Sequence, residues 1–170
     1  MHRSVGTLVV VTASVLALLA AGAVAPVAAD QPQRVLVVAD AETGEWYLSV
    51  PVEEGTEVGL EYTHSVEKSR VYDEYTVRGD RLDNTRMEFE SYGWGLPSRV
   101  NVTEVNGTFV FDPPGSFERL TVAPGEVAGH TLVVGDRRYD LVGLTHERSV
   151  DLFLVTVCDP RAANGEHAAR

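Results

Sequence analysis

The chain has 170 residues, enough for a leader and one domain of common size with a single core. Its 25 acidic and 14 basic residues leave a formal charge of -11, which repels polyanions and excludes nucleic acid as an expected partner. Lys68 is the only lysine, and this excess of Asp and Glu over lysine is the composition expected of a protein working in very high salt.

The N-terminus carries the strongest local signal. His2 and Arg3 precede an uncharged run from Val5 to Ala29, rich in Val, Leu and Ala, which closes with Pro26-Val27-Ala28-Ala29 before Asp30. A positive start, an apolar stretch and small residues at the end predict a secretory signal over 1–29, with cleavage after Ala29. The alternative is an uncleaved anchor, since 25 residues at about 1.5 Å each reach about 37 Å and a hydrocarbon core is about 30 Å thick. Either way the chain after Asp30 is expected outside the cytoplasm, exported and secreted or membrane-anchored, with the N-terminal segment as its contact to the membrane if retained.

After the leader no helical periodicity persists for ten residues. Short runs rich in Val, Thr, Tyr and Phe alternate with Gly, Pro, Asn and Asp, which predicts strands. In chain order these are Arg34–Asp40, Trp46–Val50, Glu57–Val66, Val71–Arg78, Thr85–Ser91, Arg99–Val105, Thr108–Asp112, Glu118–Val122, His130–Val134, Arg137–Leu144 and Asp151–Val157. The expected fold is all-β: an antiparallel β-sandwich or open barrel of about 8–11 short strands, forming one domain over 30–158.

Two hairpins can be placed in register. Alternation in Glu57–Val66 sets Val58, Leu60, Tyr62, His64 and Val66 on one face. With Glu67-Lys68-Ser69-Arg70 as the loop, Val66 faces Val71, His64 faces Asp73, Tyr62 faces Tyr75 and Leu60 faces Val77, and the apolar residues share a side. A carboxylate then stands opposite an inward His64, while a one-residue bulge brings Glu74 there instead. Farther on, Asn106-Gly107 is the preferred pair for a two-residue type I′ turn, because both central positions need positive φ. Pairing Val105 with Thr108 sets Glu104 across from Phe109 and Val102 across from Phe111. Asn101-Val102-Thr103 and Asn106-Gly107-Thr108 are glycosylation sequons, so Asn101 and Asn106 are candidate modification sites.

Three kinds of function are compatible with this pattern. A binding module would use Gly93-Trp94-Gly95-Leu96-Pro97 as an aromatic contact loop, although a Trp there also serves to plug the end of a sandwich. A metal or small-ligand site would centre on His64 with Asp73, Glu74 or His146, but no tight ligand spacing supports it. A hydrolase would need His146 to reach Ser65 or Ser91, because neighbouring strand residues point to opposite faces and His64 cannot activate Ser65. No Gly-x-Ser-x-Gly elbow, phosphate loop or His-Glu-x-x-His is present, so no catalytic role and no cofactor are expected.

The segments Tyr62-Thr63-His64-Ser65-Val66, Val71-Tyr72-Asp73-Glu74-Tyr75 and Phe89-Glu90-Ser91-Tyr92-Gly93-Trp94-Gly95-Leu96-Pro97 resemble the small exported family known as domain of unknown function 1850, over about Val35 to Phe153. The resemblance implies that His64-Ser65-Val66, Glu74-Tyr75 and Ser91-Tyr92-Gly93-Trp94-Gly95 are family motif positions. Trp94 is bulkier than the small residue such a turn would carry. The resemblance also implies association with a tripartite, ATP-independent (TRAP) uptake system whose extracytoplasmic receptor is of the TAXI class, with that receptor or the membrane permease as partner. It attaches no reaction to the family.

Near the C-terminus, Cys158 is the only cysteine, so the fold must hold without an internal disulfide. Its place after the apolar run Val150–Val157 predicts a small buried hydrophobe. Residues 159–170 offer nothing to bury, and a disordered tail is expected there.

Overall fold

The computed structural model describes residues 32–91 and 102–158. The leader over 1–29, the Gly93, Trp94 and Gly95 turn, Asn101 and the tail over 159–170 lie outside the described residues.

Twelve strands and one short helix are present among them. The strands are β1 (Gln33–Asp40), β2 (Trp46–Pro51), β3 (Glu57–Thr63), β4 (Arg70–Arg78), β5 (Arg81–Phe89), β6 (Thr103–Val105), β7 (Thr108–Phe111), β8 (Ser116–Phe117), β9 (Arg119–Val122), β10 (Thr131–Val134), β11 (Arg137–Asp140) and β12 (Val150–Val157), with helix α1 (Leu141–Thr145) between the last two. They form two antiparallel sheets, not a closed barrel. The smaller has the order β2-β1-β12-β9, the larger β11-β10-β3-β4-β5-β7-β6, and β8 pairs with β5.

Alternation explains why these two sheets stack. On β1, Leu36 and Val38 face the larger sheet, and they join Val50, Leu152 and Val150 against Val58, Leu60, Tyr75, Val77, Leu82, Leu132 and Val134 in one buried cluster. The other side of β1 is apolar as well: Val35, Val37 and Ala39 form a second buried cluster with Trp46, Phe153, Val155 and Val157 packed against it. The outward face of the larger sheet is polar by contrast. There Arg70 bonds Glu61 and Glu88, Arg138 bonds Glu61 and Arg86 bonds Glu88, giving one continuous row of ion pairs across four strands. Beneath that row Gly59 leaves room for the Tyr72 ring, because a β-carbon there would run into the Tyr72 hydroxyl.

Asp40, only 2 % exposed, fastens the turn after β1. Its Oδ1 accepts from the Glu42 and Thr43 amides, and its Oδ2 accepts from the Tyr47 hydroxyl and from Arg148, which lies just before β12. The Thr43 amide bond leads in holding this carboxyl down to about 2, against the opposing effect of burial.

Several expectations are corrected here. The β3–β4 hairpin pairs Tyr62 with Val71 and Leu60 with Asp73, a register shifted by four residues from Tyr62 opposite Tyr75. An even shift leaves every side chain on its face, so hydrophobic alternation is blind to it. The strand expected to run to Leu144 ends at Asp140, whose carboxylate accepts from the Val142 amide and caps α1. Cys158 is exposed, one residue past the end of β12. The Asn106-Gly107 turn follows expectation: both residues have positive φ, Val105 pairs with Thr108, and Glu104 pairs with Phe109. Among the described residues no helix is long and apolar enough to cross a membrane.

Candidate functional site: the loop end of the larger sheet

The register shift lengthens the β3–β4 connection to six residues, His64 to Ser69, and takes His64 out of the strand. The loop closes on itself as a single helical turn. The His64 amide donates to the Ser69 carbonyl at 2.8 Å, the Lys68 amide donates to the His64 carbonyl at 2.9 Å, and Lys68 takes the left-handed conformation at φ 55°. The Glu67 amide donates to His64 Nδ1 at 3.1 Å, so this imidazole acts as a cap for the loop backbone.

Two other segments meet this loop. The Ser69 and Ser91 hydroxyls share a hydrogen bond of 2.7 Å, which brings Ser91, two residues past the end of β5, to the base of the loop. On the other side the Thr63 amide donates to the Ala128 carbonyl at 2.7 Å, tying in the connection between β9 and β10. That connection turns on its own bonds from Ala128 and Gly129 to the Gly125 carbonyl. The two loop tips are apolar and bare: Val66 is 68 % exposed and Val127 65 %.

Behind the loops lies a polar group on the inner face of the larger sheet. Tyr62 stacks on His130 with ring centroids 5.0 Å apart and 18° between planes, and its hydroxyl donates to Asp73 Oδ2 at 3.1 Å. Burial pushes the Asp73 carboxyl above its ordinary value against the effect of that hydrogen bond, and burial pushes His130 down. His130 Nδ1 is buried without a hydrogen-bond partner. Burial first, then the Asp73 charge, raises the Tyr62 phenol.

The expected site residues are thus distributed as follows. His64 and Ser91 are brought into one neighbourhood, with Ser65 exposed between them on the loop. Asp73 faces inward under Tyr62, opposite Leu60 rather than His64. Glu74, its neighbour on the strand, turns to the outer face beside Thr85. His146 is the exposed left-handed cap of α1. No group of three His, Cys, Asp or Glu side chains able to hold a metal is found among the described residues, and His64, Asp73, Glu74 and His146 do not form one. Ser91 is held by Ser69 and not by His146. Tyr62 with His130, Ser69 and Val127 are the contributors that sequence reasoning missed, because their partners lie on distant strands.

One consequence can be measured directly. A carboxyl whose folded pKa is raised costs stability when ionised: the cost is absent well below the unfolded value of about 3.9, grows above it, and is complete once the pH passes the folded value. Asp73→Asn keeps an acceptor for the Tyr62 hydroxyl and removes that cost. The variant is expected to unfold at higher urea than the parent at pH 7, with the gain shrinking to nothing as the pH falls towards the unfolded value. A lower urea midpoint at pH 7 would show that the ionised carboxylate is favoured where it stands.

At this end two bare valines stand on loops tied by backbone bonds. No curated protein and no solved structure matches the chain. The model of one family matches residues 58–141, from β3 to the start of α1, a shorter stretch than the 35–153 expected and one that omits β1, β2 and β12. That stretch builds the larger sheet and both tip loops, and through it the chain belongs to the family described as a domain of unknown function (DUF1850).

Proposed function

We propose that the chain is an extracytoplasmic accessory module that binds a protein of a TAXI-type TRAP uptake system through the loop end of its larger sheet. The observation that carries this reading is the pair of exposed valines, Val66 and Val127, on neighbouring loops. One belongs to the His64-Ser65-Val66 motif, and the loop that bears it is bonded to motif residue Ser91. Loops on a rigid sheet are where binding residues concentrate, and a bare aliphatic side chain gains from burial in a partner. The apolar run from Val5 to Ala29 supports export, and the acid-rich, lysine-poor composition supports a halophilic setting.

The test is capture of the receptor or permease with the chain from crosslinked native membranes at native salt. Full burial of one valine is worth about 1.5 kcal/mol, so Val66→Asp with Val127→Asp is expected to weaken capture by about 100-fold. Undiminished capture by a folded double variant would remove the loop end from the interface, and failure of the parent to capture either component would overturn the reading.

A further inference from the structure

Of the two sequons, Asn106-Gly107-Thr108 is the one that the described residues contain whole. Asn106 and Gly107, at φ 53° and 84°, are the central residues of the turn that joins β6 to β7. Thr103 to Gly107 are exposed without a break, and a β-carbon built on Gly107 would meet nothing within 4 Å. A bulky group therefore has room at this tip and displaces no packed side chain. The tip is also easy to open. β6 has three residues, pairs only with β7, and ends the larger sheet, with no strand on its other side among the described residues. A short edge hairpin opens locally at far less cost than the whole domain, so a modifying enzyme reaches Asn106 and Thr108 together even after folding. β4 and β5, held by strands on both sides, would give a sequon no such access.

We infer that Asn106 carries an N-linked glycan, received from an oligosaccharide borne on a polyprenyl phosphate carrier outside the cytoplasm. The inference rests on the extracytoplasmic half of the proposed function and needs neither an uptake-system partner nor a retained leader. In the transfer Asn106 Nδ2 bonds to the anomeric carbon of the sugar, and the bond from that carbon to the carrier phosphate breaks. The phosphate leaves with the electron pair, and one amide proton passes to a base of the transferase. The Thr108 hydroxyl, two residues on, completes the acceptor signal that such a transferase reads. A glycan here also covers a weak point of the fold. Val105 is 51 % exposed on the last strand of the larger sheet, where a bare apolar side chain and free backbone groups invite pairing with another chain.

Mass spectrometry of the full chain purified from its native cells tests this. Trypsin, cutting after Arg99 and Arg119, releases residues 100–119 with both sequons, and electron-transfer fragmentation assigns any glycan to Asn101 or Asn106. The expected result is a glycan mass on the fragments that contain Asn106. It is expected to be lost in Thr108→Ala, which leaves the Asn106-Gly107 turn whole, and kept in Thr108→Ser. Asn106→Asp, a residue that tolerates the positive φ of the turn, should lose it too. A bare Asn106 in chain recovered from outside the cytoplasm, or a glycan retained in Thr108→Ala, would overturn the inference and leave the proposed function standing. Recovery of the chain from the cytoplasm alone would instead overturn the extracytoplasmic reading, and the glycan with it.

Discussion

Replacing Phe89 by alanine is expected to cost about 3–5 kcal/mol of folding stability. Among the described residues Phe89 is the largest fully buried side chain, at 0 % exposure. Its ring meets Phe109 at 5.5 Å between centroids, and its strand pairs with β4 on one side and β7 on the other. Removing the ring leaves a cavity that three hydrogen-bonded strands cannot close by moving together. Domains of this size are held by about 5–15 kcal/mol, so the loss takes a large share of the total. Urea unfolding at native salt should show a lower midpoint with an unchanged slope, and Phe89→Leu should lose much less. A cost for Phe89→Ala below about 1 kcal/mol would mean that the ring does not pack as described. Because Phe89 stands two residues before Ser91, the same variant should also loosen the bond between Ser69 and Ser91 at the loop end.

How much of this was legible beforehand depends on what alternation can and cannot report. It reports faces: Val58, Leu60, Val71, Tyr75 and Val77 share the buried side of β3 and β4, as the pattern of every second residue requires. It reports register only modulo two, so an even shift escapes it. The shorter loop and the observed one set Val58, Leu60, Val71, Tyr75 and Val77 on the same face and differ at the tip, where the observed one leaves Val66 exposed, and the choice between them falls to local bonds. Nδ1 of His64 capping the Glu67 amide and Lys68 accepting a left-handed conformation are such bonds. Asn106-Gly107 was readable because its own chemistry demands positive φ at both residues. No comparable signal marks Lys68, so alternation alone sets His64 on a strand opposite Asp73.

The candidate site was legible in part for the same reason. Resemblance singled out His64, Ser65 and Ser91, and the fold joins their segments through Ser69. Tyr62 against His130 and Thr63 against Ala128 depend on β10 pairing with β3 across a long stretch of intervening chain. Nothing in the spacing of either strand identifies the other as its neighbour. Val127 is likewise an ordinary valine in a Gly-rich connection until the Thr63–Ala128 bond ties that connection to the end of β3.

Leu141→Ala carries the second large effect, an expected loss of about 2–5 kcal/mol, and it probes the one helix that the strand pattern concealed. In the run Arg137–Leu144 the residues Tyr139 and Leu141 alternate as a strand would, yet the chain turns at Asp140. Two local facts decide this. The Asp140 carboxylate accepts from the Val142 amide at 3.0 Å, and Gly143 leaves room for that carboxylate, which a β-carbon would approach to 2.8 Å. The turn then drives Leu141 to 0 % exposure in the main core, while its amide donates to the His130 carbonyl at 3.0 Å. Asp140→Ala removes only the cap and should cost about 1 kcal/mol. Since both substitutions act on the same turn, their combined cost should fall short of the sum, because a helix already frayed at its start holds Leu141 less firmly. Leu141→Ala with a loss under about 1 kcal/mol, or strict additivity of the pair in urea unfolding, would mean that the turn and the core are not coupled through this residue.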